Sequence, residues 1–241
     1  MKPTVRFGTR AKAYAAFRPS YPPSAVDAVL QGLGPPRELT IADIGAGTGI
    51  SARLFAERGA SVIAIEPNAQ MRGAAEPDDR VQWRDGTGER TGLADQSVDV
   101  AVACQAFHWF ATPDALAELA RIARRRAAIL QYERDERDAF TRAYGEIVRV
   151  YATDDTEALR AAAIEVFAAF PKALVQRSQH PSVQRLDLDS LLGRAASASY
   201  LPASGPAADR MRADLRALFE RYQREGYVEL AMVTYAIVAD W

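Results

Sequence analysis

The residues that could do chemistry fall in four short stretches of this 241-residue chain. "IADIGAGTGIS" (41–51) places Asp43 just ahead of Gly45, Gly47 and Gly49. "SVIAIE" (61–66) ends on Glu66, and "RDGTGERTG" (84–92) carries Gly86, Thr87, Gly88 and Glu89. "CQAFHWF" (104–110) holds His108 and Trp109. A run of glycines lets backbone touch a ligand and turn sharply, because no Cβ intervenes. A dinucleotide fingerprint needs G-x-G-x-x-G, and its third glycine would fall on Ile50. A phosphate-cradling P-loop needs a lysine after its second glycine, and none is near. Glu66 can accept hydrogen bonds from both hydroxyls of a ribose, and would repel a 2′-phosphate. Thr87, Gly88 and Glu89 can meet an adenine edge through backbone or hydroxyl groups. Together these point to an adenosine-like ligand at a glycine loop.

The elements that must position these residues are legible in the hydrophobic pattern. "LTIADI", "SVIAIE", "VQWR", "VDVAVAC" and "AAILQYE" are short apolar runs. "SARLFAERG", "NAQMRGAA" and "PDALAELARIARR" lie between them with helical spacing. This alternation predicts a mostly parallel α/β sheet covered on both faces, with ligands beyond the carboxyl ends of its strands. "VDVAVAC" reads as a central strand buried on both sides. The last segment, "YVELAMVTYAIVAD", reads as an antiparallel edge strand. Residues 140–205 read as helices and a loop, packed on the sheet as an insertion or substrate lid. Leu159, Ala163, Val166, Phe167 and Phe170 share one helical face there, and Met211, Leu215, Leu218, Phe219 and Tyr222 share another later on. We expect one domain over 1–241: a cap at 1–25, a cofactor core at 36–135, the insertion at 140–205, and a final helix and edge strand at 206–241.

Composition removes several function classes. Net charge is −1, so nothing favours nucleic acid or an anionic membrane surface. Only three of the 30 basic residues are lysines, Lys2, Lys12 and Lys172, which limits Schiff-base chemistry. The single cysteine, Cys104, reads as a small buried residue, and excludes both an internal disulfide and a cysteine zinc site. The two histidines, His108 and His180, argue against a histidine-rich metal centre, and His180 reads as a surface-loop residue. The N-terminus lacks the apolar core of a secretory signal, so a cytoplasmic location is the expectation. The run Arg124–Arg126 reads as a solvated helix end.

An acid before the loop, G-x-G-x-G, an acid ending strand two and a small-residue turn after strand three resemble the class I S-adenosylmethionine-dependent methyltransferases. "YAAFRPSYP" (14–22), "EPNAQMR" (66–72), "CQAFHWF" and "SASYLP" (197–202) are similar to a small-molecule subgroup that includes trans-aconitate methyltransferase-like proteins. The resemblance implies a Rossmann-like seven-stranded sheet with an antiparallel last strand. It implies S-adenosyl-L-methionine as cofactor, held by Asp43, Gly45, Ala46, Gly47, Gly49, Glu66, Pro67, Met71, Gly86, Thr87, Gly88, Glu89, Gln105 and Arg18. Asp43 would orient the loop and meet the methionine end, Glu66 the ribose, and Met71 the adenine side. Tyr14, Tyr21, His108 and Trp109 would face a small-molecule acceptor, with His108 as positioning group or base. Thr87 stands where many relatives carry an acid, and Arg124–Arg126 where they carry Pro-Gly-Gly. The reaction expected is methyl transfer to a small molecule at carboxylate or hydroxyl oxygen, by a monomer or homodimer. A silent S-adenosylmethionine-binding module and an N- or C-methyltransferase stay open as alternatives.

Overall fold

The computed structural model describes residues 16–171 and 173–241. Its strands are β1 (Thr40–Ile44), β2 (Ser61–Ile65), β3 (Val81–Arg84), β4 (Val98–Cys104), β5 (Ala123–Arg134), β6 (Leu174–Leu186) and β7 (Val228–Asp240). The helices are α1 (Pro23–Leu30), α2 (Ile50–Glu57), α3 (Ala69–Gly73), α4 (Pro113–Ile122), α5 (Ala139–Tyr151), α6 (Thr156–Ala168), α7 (Leu188–Ser197) and α8 (Pro206–Tyr222). All strands join one sheet in the order β3-β2-β1-β4-β5-β7-β6. β1 to β5 run parallel, and β7 runs antiparallel to both β5 and β6. Order reverses between β1 and β4, so β1 and β4 open outward at the topological switch point.

The central strands are buried because both faces are covered. Val98, Val100, Ala101, Val102 and Ala103 are essentially inaccessible. One apolar layer joins Phe55 of α2 to Val100 and Val102, and continues to Leu215 of α8. The other joins Leu119 and Ile122 of α4 to Ala101, Ile129 and Phe167 of α6.

Three expectations change. β7 is antiparallel as its sequence implies, but it lies inside the sheet, and β6 forms the edge. β6, "LVQRSQHPSVQRL", is mostly exposed and polar, and Pro181 sits in its middle. An edge strand tolerates proline because one row of its backbone groups has no ladder to join. His180 therefore lies in a strand rather than a loop; its Nδ1 is 3.0 Å from the Ser24 hydroxyl and its Nε2 2.8 Å from that of Ser178.

The arginine run is not a solvated helix end. α4 stops at Ile122 and β5 starts at Ala123, so Arg124–Arg126 are strand residues. Arg124 pairs with Asp99, and Arg125 donates to the Leu33 carbonyl. Arg126 is buried, makes a two-pronged pair with Asp240 of β7 at 2.6 and 3.0 Å, and donates to the Val29 and Gln31 carbonyls. These bonds fasten α1, β5 and β7 together. Breaking a fully buried pair costs about 3–5 kcal/mol. Asp240 keeps a third of its side chain exposed, so Arg126→Ala should cost about 2 kcal/mol in urea unfolding. An unfolding midpoint equal to wild type would show the pair to be dispensable.

The third change is in α6. Thr156, Arg160, Ala163, Ile164 and Phe167 face inward, whereas Leu159 is 46% exposed. The helix is rotated from the orientation its leucine suggests, and an arginine takes an inward position.

Candidate functional site

β1 delivers its ligand loop directly. Ile44 ends the strand, Gly45–Gly49 turn, and α2 begins at Ile50. Gly45 has φ +71°, and a Cβ there would stand 2.7 Å from the Ala106 Cβ. Both the left-handed backbone and the close approach of the loop after β4 demand glycine. Gly88 answers a similar demand from the other side, since a Cβ there would enter the Phe110 ring. Phe110 thus bridges the glycine loop and the turn after β3. That turn is anchored by Thr91, whose N–H and hydroxyl donate to the Glu118 carboxylate of α4 at 2.8 and 2.6 Å.

Asp43 is wholly buried one residue before the strand ends. Its Oδ2 accepts from the Ser51 hydroxyl at 2.6 Å, while Oδ1 has no partner. Burial pushes its carboxyl up to about 7, the Ser51 bond opposes this, and nearby Glu66 adds to it. Glu66 accepts from the Gly47 N–H at 3.0 Å and the Asn68 N–H at 2.8 Å. Each oxygen has a lone pair left for a further donor. Burial raises its pKa, and those two amide bonds oppose the rise. Asn68 also caps α3 by accepting from the Gln70 and Met71 amides, which fixes buried Met71 beside Pro67.

Two cavities open here, and Arg18 lines both. The first is bounded by Pro19, Tyr21, Gly45, Ala46, Ser51, Cys104 and Tyr132. The second is bounded by Gln105, His108, Trp109, Thr156, Arg160, Ser199 and Tyr200. Arg18 donates to the Tyr132 hydroxyl and the Ser197 carbonyl, both at 3.3 Å. Tyr21 packs on Tyr132 with ring centres 5.8 Å apart.

The structure gathers most residues singled out in the sequence. Asp43, Gly45, Ala46, Gly47 and Glu66 meet at the glycine loop, with Met71 and Pro67 on the adjoining helix start. Tyr21 lines the glycine-loop cavity, apart from His108 and Trp109. Gln105 uses its side-chain amide on the backbone of Tyr132, accepting at 2.9 Å and donating at 3.3 Å, from a strained φ of +50°. Its side chain therefore holds the β4 and β5 ends together. Gly86 and Gly88 line the turn, while Thr87 and Glu89 point to solvent. Tyr14 lies outside the described residues. Cys104 is a free, buried thiol whose pKa burial raises well above its ordinary value. Gly49 starts α2.

His108 and Trp109 sit in a short 3-10 turn, Phe107–Trp109, with their rings 4.7 Å apart. His108 is buried, and its Nδ1 has no hydrogen-bond partner. Burial, then the positive charges of Arg160 and Arg18, push its pKa down to about 3. Its imidazole is therefore neutral at physiological pH. Arg160 and Tyr200 are the residues that sequence reading missed. "SASYLP" marked Tyr200's neighbourhood, but Arg160 carried no signal beyond its helical register.

Strand order, a glycine loop after β1 and an acid closing β2 define a class I methyltransferase fold. A family model described as a methyltransferase domain matches residues 42–130. An uncharacterized methyltransferase of Mycobacterium tuberculosis is 35% identical over 202 residues, covering 82% of this chain and 78% of its own. An uncharacterized methyltransferase of Schizosaccharomyces pombe is 25% identical over 244 residues, covering 97% and 96%. Among solved structures, a provisionally assigned type II methyltransferase of Anaeromyxobacter dehalogenans matches with a TM-score of 0.65 at 25% identity, over 93% of this chain and 97% of that one. A provisionally assigned methyltransferase from an antibiotic biosynthesis pathway of Anabaena variabilis matches at 0.64 and 23% identity, over 88% and 96%. The chain belongs to this methyltransferase family. No helix among the described residues is long and apolar enough to cross a membrane.

Proposed function

We propose that this protein transfers a methyl group from S-adenosyl-L-methionine to a small organic molecule, at a carboxylate or hydroxyl oxygen. The observation that carries the reading is the pairing of the two cavities, one on the glycine loop and one at His108, joined at Arg18. The donor set fits the cofactor. The unpartnered Asp43 Oδ1 suits the ammonium of a methionine end. The free lone pairs of Glu66 suit ribose hydroxyls, and Met71, Gly86 and Gly88 suit an adenine. The exposure of Thr87 and Glu89 leaves adenine recognition to backbone groups and to the Phe110 and Met71 side chains.

S-adenosylmethionine supplies an already activated methyl on sulfur, so the chain's own task is positioning and water exclusion. Glu66 and Asp43 fix the two ends of the cofactor. Gln105 holds the β4 end rigid against Tyr132, and Arg18 closes the space above. His108, neutral and poorly basic, orients the acceptor by hydrogen bonding and does not remove its proton. This agrees with an acceptor that arrives ionised, since such an acceptor needs no base.

Two experiments test this. Incubating the protein with methyl-labelled S-adenosylmethionine and a panel of small acids and phenols should give labelled product. Label transfer to none of them, with intact cofactor binding, would favour the silent binding module instead. For the best acceptor, kcat/KM should show no limb assignable to His108 between about pH 5 and 8, where an ordinary histidine titrates. A limb near pH 6.5 that vanishes in His108→Asn would make His108 the base.

A further inference from the structure

The cavity at His108 is lined by a buried guanidinium that no carboxylate contacts among the described residues. Arg160 projects from α6, one turn after Thr156, and is only 8% exposed. Its Nε has no hydrogen-bond partner, and among the described residues no carboxylate pairs with its guanidinium. Its neighbour is the Tyr200 ring, 5.8 Å from the guanidinium carbon. Three acids line the other side of Arg160: Glu136 and Glu157 pair with Arg134 and Arg149, and Glu133 accepts from the Gln131 side chain at 3.2 Å. Holding a guanidinium buried without an ion-pair partner is unfavourable. Evolutionary economy aside, it is sustained by the rigid seat of α6, where Phe167 packs edge-on against Phe107, ring centres 5.5 Å apart. That contact sets α6 against the 3-10 turn, and so brings Arg160 to the cavity that His108 lines. The His108 Nδ1 is a second buried polar atom with no partner at the same place. Gln105, Thr156 and Ser199 complete the rim.

We propose that this cavity binds an oxyanion carried by the methyl acceptor, with Arg160 as the residue that selects for it and His108 as a second hydrogen-bonding partner. The assignment of the ligand as acceptor rests on the methyl-transfer reading above. A guanidinium suits both carboxylate and phosphate oxygens, because its N–H groups meet two oxygens at once. An oxyanion also supplies the negative charge that Arg160 lacks, and its field favours protonation of the nearby imidazole. His108 therefore reports on occupancy. With only two histidines in the chain, its ring signals are assigned by comparison with His180→Ala.

The experiment is a titration of the protein with succinate, and separately with inorganic phosphate, at constant ionic strength, following the imidazole nitrogen signals by NMR. Each titration is run with and without S-adenosylhomocysteine. The expected result is a saturable shift of the His108 signals by at least one of the two anions, with the His180 signals still. Arg160→Gln should weaken that anion by roughly 10–100-fold, the range for a lost hydrogen bond to a charged group. Arg160→Lys should retain part of the affinity, and S-adenosylhomocysteine affinity should stay at the wild-type value in both variants. A response to phosphate alone would assign a phosphorylated acceptor, and one to succinate a carboxylic acid; either supports the subsite. Equal anion affinity in wild type and in folded Arg160→Gln and Arg160→Lys would overturn it, as would the absence of any His108 shift. Failure to bind S-adenosylhomocysteine would instead sink the methyl-transfer reading, and the cofactor-free titrations would still decide the anion site.

Discussion

Glu66→Ala should lower the affinity for S-adenosylhomocysteine by roughly 10–100-fold, the size expected for removing hydrogen bonds to a buried charged acceptor. Two losses add. The ribose hydroxyls would lose their proposed acceptor, and the Gly47 and Asn68 amides would lose the carboxylate that ties the glycine loop to the start of α3. Glu66→Gln separates them, because its amide oxygen can keep one backbone bond while its NH₂ cannot accept from a ribose. Calorimetric titration with both cofactor forms checks this, with NAD as the negative control. Unchanged affinity in Glu66→Ala would remove the acid from the cofactor site. Preference for NAD would mean that the glycine loop serves another ligand.

The second large effect concerns Asp43 and pH. Its carboxyl is pushed from 3.8 up to about 7, chiefly by burial. The sign follows from which state holds the proton. Between those values the unfolded chain has released its proton and the folded chain has kept it. Stability from this group is full below about pH 4 and is lost as pH rises to about 7, a difference of about 4 kcal/mol at 1.36 kcal/mol per unit. Asp43→Asn, which resembles the protonated acid, should lack this slope and should exceed wild type in stability at pH 8. Urea unfolding across that range compares the two, and parallel profiles would show that Asp43 ionises normally. Cofactor affinity should move the other way. A cationic methionine end favours the ionised carboxyl, so wild-type affinity for S-adenosylmethionine should rise as pH passes through about 7. The variant should show no such rise, matching wild type at low pH and binding more weakly above about pH 7.

The parts of the molecule built on local rules were readable without coordinates. The parallel strands β1 to β5 each appear as an apolar run, and the loop after β1 as three glycines with an acid on either side. Those features depend on backbone freedom and on burial from both faces, which leave a compositional trace. β6 left none. It is an edge strand whose side chains mostly meet water, so its polar sequence and Pro181 satisfy the pairing with β7 without any apolar alternation. Arg126 was misread for a related reason. An arginine triplet is ordinary on a helix end, and only the return of Asp240 from 114 residues away makes one of the three a buried strand residue. α6 shows the limit most plainly. Leu159 and Arg160 are adjacent, and a hydrophobic stripe drawn through the leucine differs by one position from the true inward face. Packing of Phe167 on Phe107 decides between them, and that contact spans two elements. The residue so misplaced is the one on which acceptor selection is proposed to rest.

The position of β7 bears on how the chain acquires its shape. β5 carries Tyr132, which holds Gln105, and one of its two edges is paired by β7, which follows the other described strands in the chain. Until β7 emerges from the ribosome, β5 presents a row of unpaired backbone groups and an uncovered apolar face. Among the described residues β6 pairs with β7 alone, so it must also wait. The pairing of β1 to β5 needs nothing from β7, whereas the seats of β6 and of the Arg126–Asp240 pair both depend on it. Late, long-range pairing of this kind is slow and exposes sticky edges to other nascent chains. Synthesis conditions that slow elongation over the last strand should therefore lower soluble yield more than the same slowing within β1 to β4.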